Sequence, residues 1–381
     1  MDGSITPQFS RDAEIDAVAA LWARTAAQHD RDATLPREAL ALAHRHGLLS
    51  LAIPAEQGGS GTDLATLADI VGRLAQGDPA ATLILVMHTL IHAGIARDAR
   101  WPARLRDAVV RATLEEGALL NALRVEPDLG TPARGGLPDT VARKDGGQWR
   151  ITGRKIYSTG GALLRWGLVW VRTDDPAPRT GFVLVPLDAE GVSIEASWNH
   201  LGMRASGSHT VVFDDVAVPL DHAVDVRSPE EWAAPDPAHA LWGNVLVAAL
   251  YDGVARSARH WLGTFLRERT PSNLGRPLAT LPRIQEQVGQ IDAILLSNRL
   301  VLAGAAGGRV DAAESGLVKT LVCENAIRAV DLALALSGNH GLSRDNPLER
   351  HHRDVLCSRV HTPQPDAAFG MAGRVALESG S

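Results

Sequence analysis

The chain is short of cysteine, of basic charge and of long apolar runs, and each shortage removes a class of protein. Cys323 and Cys357 are its only two cysteines. A pair cannot frame a disulfide-stapled fold, and both fall in stretches of helical pattern, so they read as reduced, buried thiols of a cytoplasmic protein. Lys and Arg number 38 against 44 Asp and Glu, a net charge of −6. A phosphate-binding surface needs the opposite balance, so no nucleic-acid partner is expected. The longest apolar run, residues 80–96, is interrupted by His88, Thr89 and His92. It is too short and too polar for a good membrane span and predicts a buried helix. Met1–Arg11 is polar and has no signal-like apolar core. Internal repeats and low-complexity tracts are also missing.

What is present suits a globular protein of two or three domains: 381 residues, 45% hydrophobic and 22% charged. Three textures follow one another. Residues 1–116 are rich in Ala and Leu at helical spacing, with Ile15, Val18, Ala19 and Leu21–Trp22 opening the first stripe. Asp63 is placed to cap a helix from Leu64, and Asp78-Pro79 to open the long apolar one. Residues 117–225 carry short runs of Val, Ile, Phe and Trp between Gly, Asp and Pro, which predicts an antiparallel barrel or sandwich. Residues 219–237 read as a polar, acidic connector. Helical periodicity returns in the third domain, 226–381, where Ile291, Ile294, Leu295, Asn298 and Leu302 share one face. The order of helices, strands and helices makes the chain α+β, with a C-terminal four-helix bundle.

The segment with most chemical content is Gly153-Arg154-Lys155-Ile156-Tyr157-Ser158-Thr159-Gly160-Gly161. A strand ending in hydroxyls and two glycines is either a hairpin turn or an edge that hydrogen-bonds a flat polar heterocycle. Around it stand Asn121-Ala122-Leu123-Arg124-Val125-Glu126-Pro127, the turn Gly202-Met203-Arg204-Ala205-Ser206, the strand Phe213-Asp214-Asp215-Val216-Ala217-Val218-Pro219 and the loop Ile53–Gly61. In this order the motifs resemble those of the acyl-CoA dehydrogenase superfamily along nearly the whole chain. The resemblance implies an N-terminal helical domain, a middle β-domain and a C-terminal four-helix bundle, assembled as a homo-oligomer (tetramer or dimer). It implies a flavin against Tyr157, with Ser158 and Thr159 aimed at its N5 edge and Asn121 and Arg124 approaching its pyrimidine side or the substrate.

One departure from that family concerns the reaction. Its dehydrogenases use a Glu that follows an Arg-Asp pair to abstract the substrate α-proton. After Arg353-Asp354 the corresponding position holds Thr362, beside His361, and a threonine is no base at neutral pH. The chain is similar instead to the two-component flavin monooxygenases of the superfamily, the dibenzothiophene monooxygenase type. The similarity lies in the Tyr-Ser-Thr-Gly strand end, Asn121, His88 on an early helix and His361. It implies reduced flavin (FMNH2 or FADH2) from a separate flavin reductase, and oxygen held as a C4a-hydroperoxide for attack on a small organic substrate. His361, His88, Ser158 and Asn121 would then be catalytic, because a peroxyflavin needs neutral donors and a dry cavity. His88 and His92 share a helix face at i, i+4. That spacing also suits two ordinary buried histidines or a metal pair, although no third ligand is evident and no metal is expected. The other reading is a dehydrogenase or nitroalkane-oxidase type with its base relocated to Asp366 or Glu349, and a third is a non-catalytic binding relative.

Two loops bear on the size of the flavin. Arg269 and Arg276 stand where the family's FAD-binding Arg loop would be, two residues longer and with Leu274 for its Phe. Gly338 and Asn339 stand in the second loop, with Ala335 for its Gln. By this resemblance FMN and FAD both remain candidates, with the two arginines as phosphate ligands.

Overall fold

The computed structural model describes residues 8–130, 136–232 and 236–378. The first residues of the polar N-terminal stretch lie outside that range. Five helices come first: α1 (Gln8–Asp32), α2 (Arg37–Arg45), α3 (Leu64–Gly77), α4 (Pro79–Arg97) and α5 (Ala103–Glu116). Their starts follow the expected capping. Asp63 accepts from Thr66 N, and Asp78 accepts from Ala80 N and Ala81 N ahead of Pro79 at the first helical position. By length and composition α4 passes for a membrane helix, but 83% of its apolar window is buried within the chain. It is a core helix, as expected from its interrupting polar residues.

Eight strands form one sheet: β1 (Leu119–Leu123), β2 (Val141–Asp145), β3 (Gln148–Ser158), β4 (Leu164–Thr173), β5 (Thr180–Pro186), β6 (Val192–Glu195), β7 (His209–Pro219) and β8 (Ala223–Arg227). The order is β6-β7-β3-β2-β4-β5-β8, with β1 parallel to β4. β8 corrects the reading of residues 219–237 as a plain connector. Ala223–Arg227 pairs antiparallel with β5, and its half-exposed edge position explains the acidic, polar composition that hid it.

The third domain is helical: α6 (Pro237–Glu268), α7 (Pro282–Ala306), α8 (Ser315–Ser337), the short α9 (Asn339–Leu342), α10 (Leu348–Leu356) and α11 (Pro365–Glu378). α6 is the spine. From Asn244 to Ala255 every residue is buried, because α3 and α4 of the first domain pack on one side and α8 on the other. Glycines set the α3–α6 distance, since a Cβ added at Gly253 would lie 2.4 Å from the Gly72 carbonyl oxygen. Of the α7 stripe, Ile291, Asn298 and Leu302 are buried, and Asn298 donates to Asp252 of α6 at 2.9 Å.

The three domains meet at one polar knot. Arg353 of α10 pairs with Asp30 at the end of α1 at 2.6 Å and with Glu349 at 2.7 Å. The next residue, Asp354, accepts from Met203 N at 2.7 Å. The Arg353-Asp354 pair therefore ties the bundle to both other domains. The Met203 turn that it holds leads directly into the candidate site.

Candidate active site

The register of β3 shifts between Lys155 and Ser158, and Tyr157 takes a left-handed backbone (φ 56°). That conformation is costly for a bulky residue and persists only where the surroundings over-determine it. A bulge of this kind re-aims a side chain. Here it turns Tyr157 outward, 53% exposed, with ring edges towards Trp198 and His200, which stack on each other 3.6 Å apart. Gly160 follows at φ 80°, its N–H donating to the Ser206 carbonyl at 2.8 Å. A Cβ there would sit 3.2 Å from Ile84 of α4, so both the backbone and the space call for glycine.

The structure brings Asn121, Tyr157, Ser158 and Thr159 together, but not in the expected poses. Asn121 Nδ2 donates to the Thr159 carbonyl at 3.1 Å. Thr159 shares a hydrogen bond with Ser208 (3.0 Å), and Ser208 shares another with Ser206 (2.8 Å). Ser158 is buried, its hydroxyl turned back towards the Lys155 carbonyl at 3.4 Å. Of the two groups that Ser158 and Thr159 could offer a flavin edge, hydroxyl or amide, the hydroxyls turn inward and brace the turn, and the exposed surface is the Tyr157 ring. The Gly202–Ser206 motif marks the place of Ser206 in the sequence but not its link through Ser208 to Thr159, which only the fold brings about. Below the turn, Lys155 donates to Glu126 at 2.6 Å with both side chains essentially out of solvent. Glu126 also accepts from Asp139 N, Thr140 N and the Thr140 hydroxyl. Burial pushes the Lys155 ammonium down to about 8, against the pull of Glu126.

His88 is also corrected. It is fully buried; Leu120 N donates to its Nδ1 (3.3 Å), which leaves Nε2 protonated to donate to the Leu49 carbonyl (2.9 Å). Both nitrogens are spent on main chain, and burial lowers its pKa to about 4. His92 packs edge-on against it and bonds Thr113. These are core histidines: His88 joins α4 to the Leu49 turn and to β1, and His92 joins it to α5.

His361 ends the short 3-10 turn Cys357–Val360. Lys319 of α8 holds it by donating to the carbonyls of His361 (2.7 Å) and Pro363 (3.0 Å). The residue as a whole is half-buried. The dense protein around it, then the Lys319 charge, push the imidazole down to about 4, so it is neutral at pH 7. It lies 5.7 Å from the ring of Tyr251 on α6, a fully buried residue whose hydroxyl has no hydrogen-bond partner. Thr362 is exposed and carries no acid–base group. Glu349 is spent on Arg353, and Asp366 lies exposed in the first turn of α11.

Arg269, Arg276, Gly338 and Asn339 are all exposed. Phe265 against His340 (5.1 Å) brings their two loops to one end of the bundle. Leu90 of α4 meets α6 near its start, at Gly243, and Arg269 stands at the other end of that helix, 26 residues on, about 39 Å at the helical rise.

The acyl-CoA dehydrogenase N-terminal, middle and C-terminal domain models match residues 10–100, 124–216 and 241–362. A putative acyl-CoA dehydrogenase of Bacillus subtilis, YdbM, is 31% identical over 374 residues, 96% of each chain. The L-evernosamine nitrososynthase of a Micromonospora species is 30% identical over 367 residues, covering 89% of this chain and 82% of that one. Among solved structures, KijD3 in complex with FMN and dTDP-3-amino-2,3,6-trideoxy-4-keto-3-methyl-D-glucose superposes with a TM-score of 0.85 at 26% identity, over 98% of this chain and 95% of the other. With all three domains matched in order, the chain belongs to the acyl-CoA dehydrogenase superfamily of flavin-dependent oxidoreductases.

Proposed function

We propose that the protein is a flavin monooxygenase that uses reduced FMN or FAD and oxygen on a small organic substrate. The observation that carries this reading is the base position. Thr362 occupies it, the titratable group beside it is the neutral His361 imidazole, and Glu349 is held by Arg353. The nitrososynthase relative and the FMN complex of KijD3 support the reading.

The residues present fit a flavin ring. Tyr157 offers an exposed aromatic ring on a forced backbone, and the buried Tyr251 hydroxyl lacks a partner. Flavin, when bound, supplies the electrons and the site of oxygen activation. The chain's own residues do the rest. Asn121 and the Thr159–Ser208–Ser206 relay hold the turn rigid, the Lys155–Glu126 pair anchors the strand beneath it, and Tyr157 sets the plane of the ring. His361 presents an uncharged imidazole N–H and the Tyr251 phenol an O–H. Burial raises the Tyr251 pKa well above its usual value, so it stays a donor. Neutral donors in a dry wall stabilise developing negative charge without themselves losing a proton.

In this reading a second copy of the chain supplies Arg269, Arg276, Gly338 and Asn339, all exposed, to the flavin phosphate. A separate cytoplasmic flavin reductase supplies the electrons. Exposed Leu300, Leu321 and Phe369 on the outer face of α7, α8 and α11, beside a groove of about 480 Å³, are suited to contact between copies.

The test is to load the chain with FMN or FAD, reduce it anaerobically, admit oxygen and follow near-ultraviolet absorbance. A transient species distinct from oxidised flavin is expected, its decay faster in His361→Ala. The second reading, a dehydrogenase, is favoured by the 31% identity to YdbM. Anaerobic bleaching of the oxidised flavin by an acyl-CoA would establish it and remove the first.

A further inference from the structure

Arg124, the first residue past β1, lies on the opposite side of the strand from Asn121, about 10 Å further along it at 3.3 Å per residue. Its guanidinium is 5.7 Å from the ring of Trp170 on β4 and 5.8 Å from that of Phe182 on β5. These residues form one cross-strand row, because Trp170 and Phe182 are register partners. Trp232 closes the row, 4.7 Å from Trp170. Its Nε1 is satisfied by the Thr180 carbonyl. Two neighbouring donors are not satisfied: Arg124 Nε and Trp170 Nε1 are both out of reach of solvent and have no acceptor.

The charge is equally unmatched. Among the described residues no carboxylate pairs with Arg124, and burial alone shifts its pKa, downwards. The nearby Asp236 is committed elsewhere: it caps α6 and steadies Arg97, Arg100 and His239. His239, on the first turn of α6, has its pKa lowered by burial and then by the nearby charge of Arg124. A desolvated guanidinium without a counter-ion is costly, as is an orphaned buried N–H. An oxyanion would satisfy both at once, since a guanidinium beside an indole N–H presents a donor fork to a carboxylate or phosphate.

We infer that the corner formed by Arg124, Trp170, Phe182, Trp232 and His239 is the subsite for an oxyanion of the substrate, with the aromatic rings holding the apolar part next to it. The inference deepens the proposed function and rests on it in taking the occupant to be substrate, because Arg124 directly continues the strand that carries Asn121.

The test titrates benzoate, phenyl phosphate and the neutral isostere benzamide into the flavin-free full chain, by calorimetry and tryptophan fluorescence. At least one of the two anions is expected to saturate and to bind at least tenfold more tightly than benzamide. Whichever binds more tightly identifies the substrate's anion as carboxylate or phosphate. Arg124→Met, which keeps an unbranched stem over Trp170, is expected to weaken the anion at least tenfold and leave benzamide unchanged, while Arg124→Lys weakens it less. Equal binding of benzamide and the anions in the unmutated chain overturns the inference whether or not the variants fold, as does unchanged anion affinity in Arg124→Met. A parallel flavin titration separates the two claims. Anion binding without flavin binding sinks the proposed function alone, and flavin binding without anion preference sinks the subsite alone.

Discussion

His88 and His361 carry the same imidazole with the same lowered pKa of about 4, yet their surroundings assign them different work. Replacing His88 by Leu strands the Leu49 carbonyl and the Leu120 amide inside the core, at an expected cost of about 2–4 kcal/mol in urea denaturation. Flavin affinity should persist in whatever fraction folds. His361→Gln should cost less than about 1 kcal/mol, because its tether to Lys319 is through the main chain, and should change the reaction with oxygen instead. A histidine whose folded pKa lies below its unfolded 6.5 binds fewer protons when folded. Stability is therefore expected to fall as pH drops from 6.5 towards 4, and His88→Leu should flatten that slope. The sequence made Tyr157, Ser158, Thr159 and Asn121 legible as one cluster because three are consecutive and the fourth begins a motif. It could not show which hydroxyls turn inward, since Ser208 and the main-chain partners of His88 lie 32 to 49 residues away. Spacing at i, i+4 says that two histidines share a face, and says nothing of what that face meets.

Among the elements, α6 carries the most consequence, because it packs on the first domain and on the bundle at once. Gly253 and Gly72 both lie at the α3–α6 crossing, but an added methyl meets different neighbours. At Gly253 it meets the Gly72 backbone at 2.4 Å, whereas at Gly72 it meets first the Arg256 guanidinium, a flexible end. Gly253→Ala is expected to cost about 2–3 kcal/mol by forcing two packed helices apart, and Gly72→Ala distinctly less. Thermal unfolding of the two variants side by side checks this, and equal losses would mean that the crossing is not set by backbone contact. Helix starts were legible because Asp63, Asp78 and Pro79 act within three residues of themselves. β8 was not, because an edge strand alternates polar residues like a linker, and its pairing with β5 lies some forty residues back in the chain.

At the scale of the whole molecule, the three domains are locked where Arg353 and Asp354 of α10 meet Asp30 and the Met203 turn. Asp354 is fully enclosed; burial raises its carboxyl to about 7, against the pull of Arg350 and of the Met203 amide. A carboxyl whose folded pKa exceeds its unfolded 3.8 binds more protons when folded. Its contribution is therefore fully present below pH 3.8 and is lost as pH rises towards 7, by up to about 4 kcal/mol at about 1.4 kcal/mol per pH unit. Asparagine keeps the acceptor for Met203 N and removes the titration. Asp354→Asn should thus match the parent chain most nearly at about pH 4, gain on it as pH rises to about 7 and level off beyond that, in urea denaturation. Because one side chain touches the turn beneath the Tyr157 corner and the helix leading to His361, the same series should show flavin affinity in the parent weakening with rising pH, and less so in the variant. A stability difference that stays flat between pH 5 and pH 8 would mean that the carboxylate is already ionised in the folded knot, balanced by Arg350.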